Sequence, residues 1–175
     1  MKKIFLLVLT LAIFTNLAYT QTKEEKKQRK VELSQKEYET IKKLIDSKMY
    51  VFNATWLITQ GGRQLDVRSN TNQIEVKNDI TKAVMQYFGV VTISRFSSDG
   101  GVEFDSEIED YNLKYIDKKQ KIIISYTAKN KAEKYDVTIT VFKNGSAFVD
   151  LYSTHKNNIS YQGSVGPIIN EQLEK

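Results

Sequence analysis

The densest group of side chains that could do chemistry lies in the acidic stretch at residues 99–110. In an extended strand, alternate side chains point to the same face. Four carboxylates would then share one face of the strand: Glu103, Asp105, Glu107 and Glu109. Neighbouring carboxylates repel one another, and a hard cation such as Ca²⁺ would relieve that repulsion. These four residues are therefore the candidate metal ligands, although their spacing matches no EF-hand loop.

Two alternatives to a metal site remain for the same stretch. Two carboxyl groups held about 5 Å or about 6.5–9.5 Å apart in a cleft could hydrolyse a glycosidic bond, but the sequence shows no cleft. The other alternative is a solvated edge strand, because charged side chains on an edge prevent sheets from aggregating. Its acids would face nearby lysines: Lys118, Lys119 and Lys121. We favour this edge strand, since acidic runs are usually solvated.

The chain offers few other nucleophiles or metal ligands. It has no Cys and one His, His155. The absence of Cys excludes a disulfide scaffold, a thiolate zinc site and a thiol nucleophile. Ser153 lies close to His155, but no Gly-x-Ser-x-Gly elbow surrounds it, and no glycine-rich phosphate loop is present. We therefore expect a non-catalytic protein without a cofactor.

Residues 1–20 have the pattern of a secretory signal. Lys2 and Lys3 form a basic start, an apolar run follows at 4–14, and small residues stand at the −3 and −1 positions before Gln21. Such a run spans only about half of a 30 Å hydrocarbon core, so we expect cleavage and not an integral membrane protein. We expect export to the periplasm or the cell exterior, and not as a lipoprotein because Cys is absent.

The net charge of +5 does not indicate a nucleic-acid partner. Lys2 and Lys3 carry two of these charges, and residues 23–36 carry three more, with six basic and three acidic side chains. From Glu37 onward, 18 basic and 18 acidic residues balance. Nucleic-acid-binding domains usually carry a basic face on the fold itself. We therefore interpret residues 21–33 as a charged, solvated leader and expect no nucleic acid as a partner.

One helix is predicted after this leader. Ser34 and Glu37 have the spacing of a capping box, and Leu33 and Tyr38 occupy the positions of a hydrophobic staple. The helix should run from about Gln35 to Lys48. Its apolar face has helical spacing and consists of Tyr38, Ile41, Leu44, Ile45 and Met49.

Beyond the helix, the apolar period changes from 3.6 to 2, which is typical of strands. In the first run, alternate positions are Phe52, Ala54, Trp56 and Ile58. Further alternating runs occur at 65–67, 74–76, 111–115, 122–128, 135–141 and 147–153. Short runs with turn residues between them indicate antiparallel pairing. The sequence predicts an α+β fold that is mainly antiparallel β, a β-sandwich or open barrel with one N-terminal helix packed on it. This single domain should cover residues 34–175.

The hairpin at 135–153 has a register that the buried face decides. A two-residue Asn144-Gly145 loop would place Ile139 opposite Asp150. A three-residue loop with Gly145 in the left-handed region pairs Ile139 with Val149 instead, so that apolar residues face one another. We therefore predict the three-residue loop with its bulge.

In their order along the chain, four short motifs resemble a family of exported bacterial proteins, domain of unknown function 4251. The motifs are Phe-x-Ala at 52–54, Tyr-Phe-Gly at 87–89, Gly-x-Ala at 145–147 and Ile-Ser-Tyr-x-Gly at 159–163. In the second motif, Gln86 replaces the family's Pro. The resemblance covers about residues 35–165. It implies export and a compact β-rich domain, and it transfers no activity or catalytic residue.

Aromatic residues make up 11% of the chain, with ten Tyr, eight Phe and one Trp. Tyr packs well on half-buried strands, which accounts for most of them, but it can also line a groove for a ligand. The candidate ligand-binding residues are Tyr87, Phe88 and Tyr161, which lie in two of the family-like motifs. We therefore predict an exported, non-catalytic binding or interaction module whose partner is a small molecule, a glycan or a protein. The alternatives are a structural envelope protein and a carboxylate-based hydrolase.

Overall fold

The computed structural model describes residues 2–69, 71–88, 101–130 and 133–168, with side chains from residue 23 onward. The chain divides into two compact units, Met1–Glu37 and Tyr38–Lys175. A helix, α1, covers Lys2–Asp46, and the side chains of residues 23–33 are exposed. Among the residues described, no helix carries an apolar stretch long enough to cross a membrane.

The described part of the second unit contains ten strands. They are β1 Met49–Ile58, β2 Gln64–Asp66, β3 Gln73–Lys77, β4 Ile80–Met85, β5 Val102–Glu107, β6 Glu109–Ile116, β7 Lys121–Lys129, β8 Lys134–Phe142, β9 Ser146–Ser153 and β10 Ile159–Pro167. A short 3-10 helix at Asp117–Lys119 lies between β6 and β7. β4 and β10 are not predicted as strands by the apolar alternation of the sequence.

All strand pairs are antiparallel and follow the order β5-β4-β3-β1-β10-β9-β8-β7-β6, with β2 also paired to β1. Two hydrogen bonds bring β5 to the end of β7. The Lys129 N–H donates to Ser106 Oγ at 3.1 Å, and Asn130 Nδ2 donates to the Glu103 carbonyl at 2.7 Å. The sheet is thus nearly closed and barrel-like. The predicted class, mainly antiparallel β with one N-terminal helix, is confirmed at this level.

The inward side chains of the strands form one core. Much of its volume is aromatic, which accounts for a large part of the high Tyr and Phe content. The buried aromatic residues are Tyr38, Tyr50, Phe52, Phe104, Tyr126, Tyr135 and Tyr161. Aliphatic residues on β7, β8 and β9 pack between them, so the interior is occupied by side chains.

The predicted start of the helix is wrong, because α1 runs without a break from Lys2 to Asp46. Ser34 is therefore not an N-cap, and Leu33 is too exposed, at 62%, to form a hydrophobic staple. Residues 21–37 contain no Gly or Pro and are rich in Lys, Glu and Gln. These are strong helix formers, so the local sequence gives the helix no reason to end there.

The apolar face of the helix is confirmed at four of its five positions. Tyr38 and Ile45 are buried, and Ile41 and Leu44 pack partly against the core. The fifth position, Met49, is wrong because it begins β1 and is 39% exposed. The helix ends at Asp46 and not at Lys48. Lys48 takes a left-handed conformation with φ 51°, which ends the helical path.

The predicted strict alternation of inward and outward side chains along β1 is also wrong beyond Ala54. The pairing of β1 with β10 shifts between Ala54 and Trp56, so one extra residue on β1 makes a β-bulge. After the bulge Leu57 is fully buried, whereas Trp56 is partly exposed and carries the Arg68 guanidinium 5.8 Å above its ring. Hydrophobicity alone does not reveal this change, since Trp56 and Leu57 are both apolar.

The predicted register of the β8–β9 hairpin is confirmed. Ile139 pairs with Val149, Val141 with Ala147 and Val137 with Leu151. Gly145 has φ 79°, and its N–H donates to the Phe142 carbonyl at 2.9 Å. The three-residue loop places every one of these apolar pairs in the core.

Candidate functional site

An open groove of about 910 Å³ lies on the outer face of β1, β3 and β10. The connection between β2 and β3 supplies one side of its lining, and the end of β10 supplies another. Its lining residues are Val51, Asn53, Ala54, Thr55, Arg68, Ser69, Gln73, Glu75, Ser164, Gly166, Pro167 and Ile168. The outward side chains of these strands face the groove because the inward positions of the same strands, Ala54 among them, pack in the core.

The strand register arranges the polar lining in a row. Asn53 on β1 is directly opposite Gln73 on β3 and opposite Ser164 on β10. Neighbouring strands are about 4.8 Å apart, so this row of two amides and one hydroxyl is about 10 Å long. Among the described residues, the side chains of Asn53 and Gln73 make no hydrogen bond. The row therefore presents free donors and acceptors to the groove.

The charges beside this row are already paired within the protein. Arg68 Nε donates to Asp66 Oδ1 at 3.0 Å and Oδ2 at 3.1 Å. Hydrogen bonds from the Arg68 side chain and backbone lower the pKa of Asp66 to about 2. Lys77 Nζ lies 2.5 Å from Glu75 Oε1. The groove thus has polar walls without an unbalanced charge.

A second polar cluster is buried at the end of the sheet where the β7–β8 and β9–β10 connections meet. Glu133 Oε2 and Lys156 Nζ are 2.8 Å apart, and their side chains are 5% and 3% exposed. The Tyr135 hydroxyl donates to Glu133 Oε2 at 2.6 Å, and the Ser153 hydroxyl donates to Oε1. Lys156 Nζ also lies 5.6 Å from the centre of the Tyr135 ring. Both charges are therefore compensated.

The pKa values in this cluster follow from its contacts. Burial alone would raise the pKa of Glu133, but hydrogen bonds from Lys156, Ser153 and Tyr135 outweigh burial and lower it. Burial and the Glu133 carboxylate raise the pKa of Tyr135. The carboxylate is thus ionised and the phenol is neutral near pH 7. The Ser153 hydroxyl is engaged by Glu133, and the backbone N–H of His155 donates to Ser153 Oγ at 3.1 Å, so this serine is held as a structural contact.

The structure brings two of the three predicted ligand-binding residues to this cluster. Tyr161 is fully buried, and its hydroxyl donates to the Gln86 carbonyl at 2.6 Å. Tyr87 is half-buried, donates to the Asn157 carbonyl at 3.2 Å and has Lys156 Nζ 6.0 Å from its ring centre. Phe88 is 55% exposed. None of the three lines the outer groove.

The candidate metal ligands lie on the two terminal strands of the sheet order, β5 and β6. Glu103, Asp105 and Glu107 are exposed on β5, and Glu109 begins β6. Within the described residues, no group of three or more Asp, Glu, His or Cys side chains lies close enough to hold a metal ion. That these acids form a solvated edge strand and do not hold Ca²⁺ tightly stays a prediction.

The prediction that Lys118, Lys119 and Lys121 face these acids is wrong. Asp105 pairs with Lys82 at 3.3 Å, because β4 is the neighbour of β5 in the sheet. Glu109 pairs with Lys129 at 2.7 Å. The expected partners, Lys118, Lys119 and Lys121, follow β6 in sequence, but the fold gives the acids neighbours from elsewhere in the chain.

Glu133 and Lys156 carry no local signal in the sequence. Each lies in a short polar stretch between strands, and such stretches usually read as solvated loops. The two residues are 23 positions apart, and no local spacing connects them. The groove residues Asn53 and Gln73 carry one weak signal, because both alternate with apolar residues on predicted strands.

A model of the family described as Domain of unknown function (DUF4251) matches residues 32–165 of the chain. No curated protein matches the chain. The crystal structure of a DUF4251 family protein from Bacteroides eggerthii DSM 20697 is similar, with a TM-score of 0.61 and 19% sequence identity. That match covers 75% of this chain and 87% of the other. At this identity, the likeness supports the fold alone.

Proposed function

Because the chain belongs to the DUF4251 family, a domain of unknown function, we propose its function from its own geometry: an exported, non-catalytic binding module. The observation that carries the proposal is the open groove of about 910 Å³ on β1, β3 and β10. Ligand sites are concave and combine apolar walls with a few placed polar groups. The groove has both kinds of lining.

The proposal places the ligand outside the sheet because the inside is occupied. Tyr50, Phe52 and Tyr161 point inward from β1 and β10 and are fully buried. A ligand in the interior would have to displace such side chains and lose their packing, which for truncation of a buried aromatic residue costs about 3–5 kcal/mol. The outer groove requires no such rearrangement.

We propose a non-catalytic function because the described lining of the groove lacks a pair of acid and base groups. Among its described lining residues, Glu75 is the only carboxylate, and it pairs with Lys77. A carboxylate hydrolase requires two carboxyl groups in different environments. Export is part of the proposal on the strength of the signal pattern at residues 1–20.

The test uses the chain without residues 1–20, labelled for NMR and titrated with soluble oligosaccharides, short peptides and fatty acids. We expect at least one class to shift backbone amide signals of β1, β3 and β10. The double variant Asn53→Ala/Gln73→Ala should lose the shifts, because both side chains face the groove. The double variant Thr138→Ala/Thr140→Ala on the outer face of β8 is the matched control and should keep them. Shifts confined to the signals of Tyr87 and Phe88, or no shifts at all, would reject the groove.

A further inference from the structure

We propose that the ligand of the outer groove is a neutral oligosaccharide. This inference rests on the proposed function and adds the chemical class of the ligand. It follows from four properties of the groove: its paired charges, its row of amides and hydroxyls, an apolar strip beside that row, and the position of its strands inside the sheet.

The first property concerns charge. A free cation would favour an anionic ligand, but Arg68 is held by two hydrogen bonds from Nε to Asp66. A cationic ligand would need a free carboxylate, but Glu75 lies 2.5 Å from Lys77. Separating either pair would cost the protein its own charge-assisted contacts. A neutral ligand leaves both pairs intact.

The second property is the row of neutral hydrogen-bonding groups. Gln73, Asn53 and Ser164 stand side by side on three strands. An amide both donates and accepts, and a hydroxyl does the same. A sugar presents hydroxyl groups that also donate and accept, so each can pair with this row in either direction. The row of about 10 Å is long enough to meet more than one sugar ring.

The third property is an apolar strip beside the row. Val51 is the next outward residue of β1 and is directly opposite Gly166 on β10. Pro167 and Ile168 continue the strip at the end of β10. A sugar ring has polar edges and less polar faces, so it fits a surface on which amides lie next to aliphatic groups. Gly166 leaves this part of the strip without a projecting side chain.

The sheet topology disfavours an extended peptide as the ligand. Peptides commonly bind to sheets by adding a strand to an open edge. β3, β1 and β10 are consecutive interior members of the sheet order, so their backbone groups are engaged with neighbouring strands. A peptide in the groove would have to bind through side chains alone, which forgoes that source of affinity.

The experiment compares named probes on the chain without residues 1–20. Maltohexaose, cellohexaose and chitohexaose are the neutral saccharides, a heparin hexasaccharide is the charged one, and a hexapeptide of Gly and Ser is the peptide. We expect at least one neutral saccharide to shift the groove amide signals, with a Kd that stays constant when NaCl is raised tenfold. The binding of a charged ligand would weaken with added salt.

Two variants give the expected loss. Asn53→Asp and Gln73→Glu keep the size of each side chain but remove the amide donor, and each should weaken saccharide binding by about tenfold. Thr138→Ala on the outer face of β8 is the control and should leave the Kd unchanged. Thermal unfolding of each variant checks that the fold persists.

The outcomes separate this inference from the proposed function. If the peptide or the heparin hexasaccharide shifts the groove signals and no neutral saccharide does, the saccharide inference is overturned and the groove remains a binding site. If neutral saccharides bind with a salt-dependent Kd, or if Asn53→Asp and Gln73→Glu bind as the unaltered chain does, the inference is also overturned. If a fatty acid shifts groove signals and no neutral saccharide does, only the saccharide inference fails; if no probe of either experiment shifts them, both fail.

Discussion

At the scale of the residue, the pair Glu133–Lys156 is the sharpest test of how buried charge is handled. Glu133→Gln should lower the free energy of unfolding by about 3–5 kcal/mol, because it leaves the Lys156 ammonium buried and unpaired. Replacing both, as Glu133→Leu/Lys156→Met, should cost less than the sum of the single changes. Urea unfolding at pH 7 measures this. Asp105→Asn is the matched control, since the Lys82–Asp105 pair is exposed at 59% and 63% and is worth about 1 kcal/mol or less.

The same pair should make the free energy of unfolding fall as the pH is lowered into the acid range. Hydrogen bonding lowers the pKa of Glu133 in the folded state, so folding favours its ionised form. The stability it contributes is fully present above the ordinary Glu pKa of about 4.3 and is lost as pH falls through the lowered folded value. Urea midpoints measured from pH 7 downward should show this loss, and Glu133→Gln should flatten it. An equally steep fall at acid pH in Glu133→Gln would contradict the assignment.

Gly163 is a position where one methyl group should not fit. A Cβ there would contact the Asn53 carbonyl oxygen and lie 2.9 Å from the Asn53 carbonyl carbon and 3.0 Å from Ala54 Cα. All three atoms are backbone at the bulge of β1, so they cannot rotate away. Gly163→Ala should destabilise the fold by at least about 1–3 kcal/mol. Gly166→Ala on the same strand has no atom within 4 Å of the new Cβ and should be nearly neutral.

The acidic residues of β5 allow a direct test for calcium. Glu103, Asp105 and Glu107 are exposed, and Asp105 is already paired with Lys82. We expect the same melting midpoint in calcium and in chelator, because a ligand that binds only the folded state must raise the midpoint. A rise of several degrees in calcium that Glu103→Gln/Glu107→Gln abolishes would make these acids metal ligands.

At the scale of the element, the sequence predicts strands well where alternation is clean and fails where geometry intervenes. The β8–β9 register follows from its apolar face and Gly145, so it could be predicted. β4 could not, because Ile80 and Val84 are apolar but exposed and blur the alternation. The bulge near Trp56 depends on how β10 approaches β1. The candidate site could not be predicted either, because its row of Gln73, Asn53 and Ser164 exists only once three strands are in register.

The helix makes a second test at this scale. Ile45 is fully buried where α1 packs against the core. Ile45→Asp should destabilise the protein by more than about 4 kcal/mol or prevent folding, because it buries an unpaired charge. Leu33→Asp on the same helix is the control, since Leu33 is 62% exposed, and it should change the midpoint little. An unchanged melting temperature for Ile45→Asp would mean that the helix is not docked in solution.

At the scale of the whole molecule, the family motifs have structural explanations. Phe52 and Ala54 fill the core from β1, Gly145 turns the hairpin, and Tyr161 and Gly163 fix β10 against Gln86 and the bulge. Gly89 of the Tyr-Phe-Gly motif lies outside the described residues. These roles are all within the second unit. The motifs therefore describe how the domain folds, and the groove residue Asn53 stands at the unspecified position of Phe-x-Ala.

This concentration of the core predicts where the chain can be shortened. The first unit ends at Glu37 and the second begins at Tyr38, and residues 23–33 are exposed. A chain that begins at Ser34 should therefore match the free energy of unfolding of a chain that begins at Lys23 within about 1 kcal/mol, because the residues removed between the two are exposed. Urea unfolding and the groove titration together measure whether fold and binding persist.

A chain that begins at Lys42 is the matched comparison, because it also lacks Tyr38. That side chain is 1% exposed, and its hydroxyl donates to Asp117 Oδ1 at 3.0 Å. Removing a buried aromatic of this size costs about 3–5 kcal/mol, so this chain should unfold at a much lower urea concentration. If the chain from Ser34 were destabilised equally, residues before Ser34 would belong to the folded domain. If the chain from Lys42 were as stable as the full chain, Tyr38 would not be part of the core.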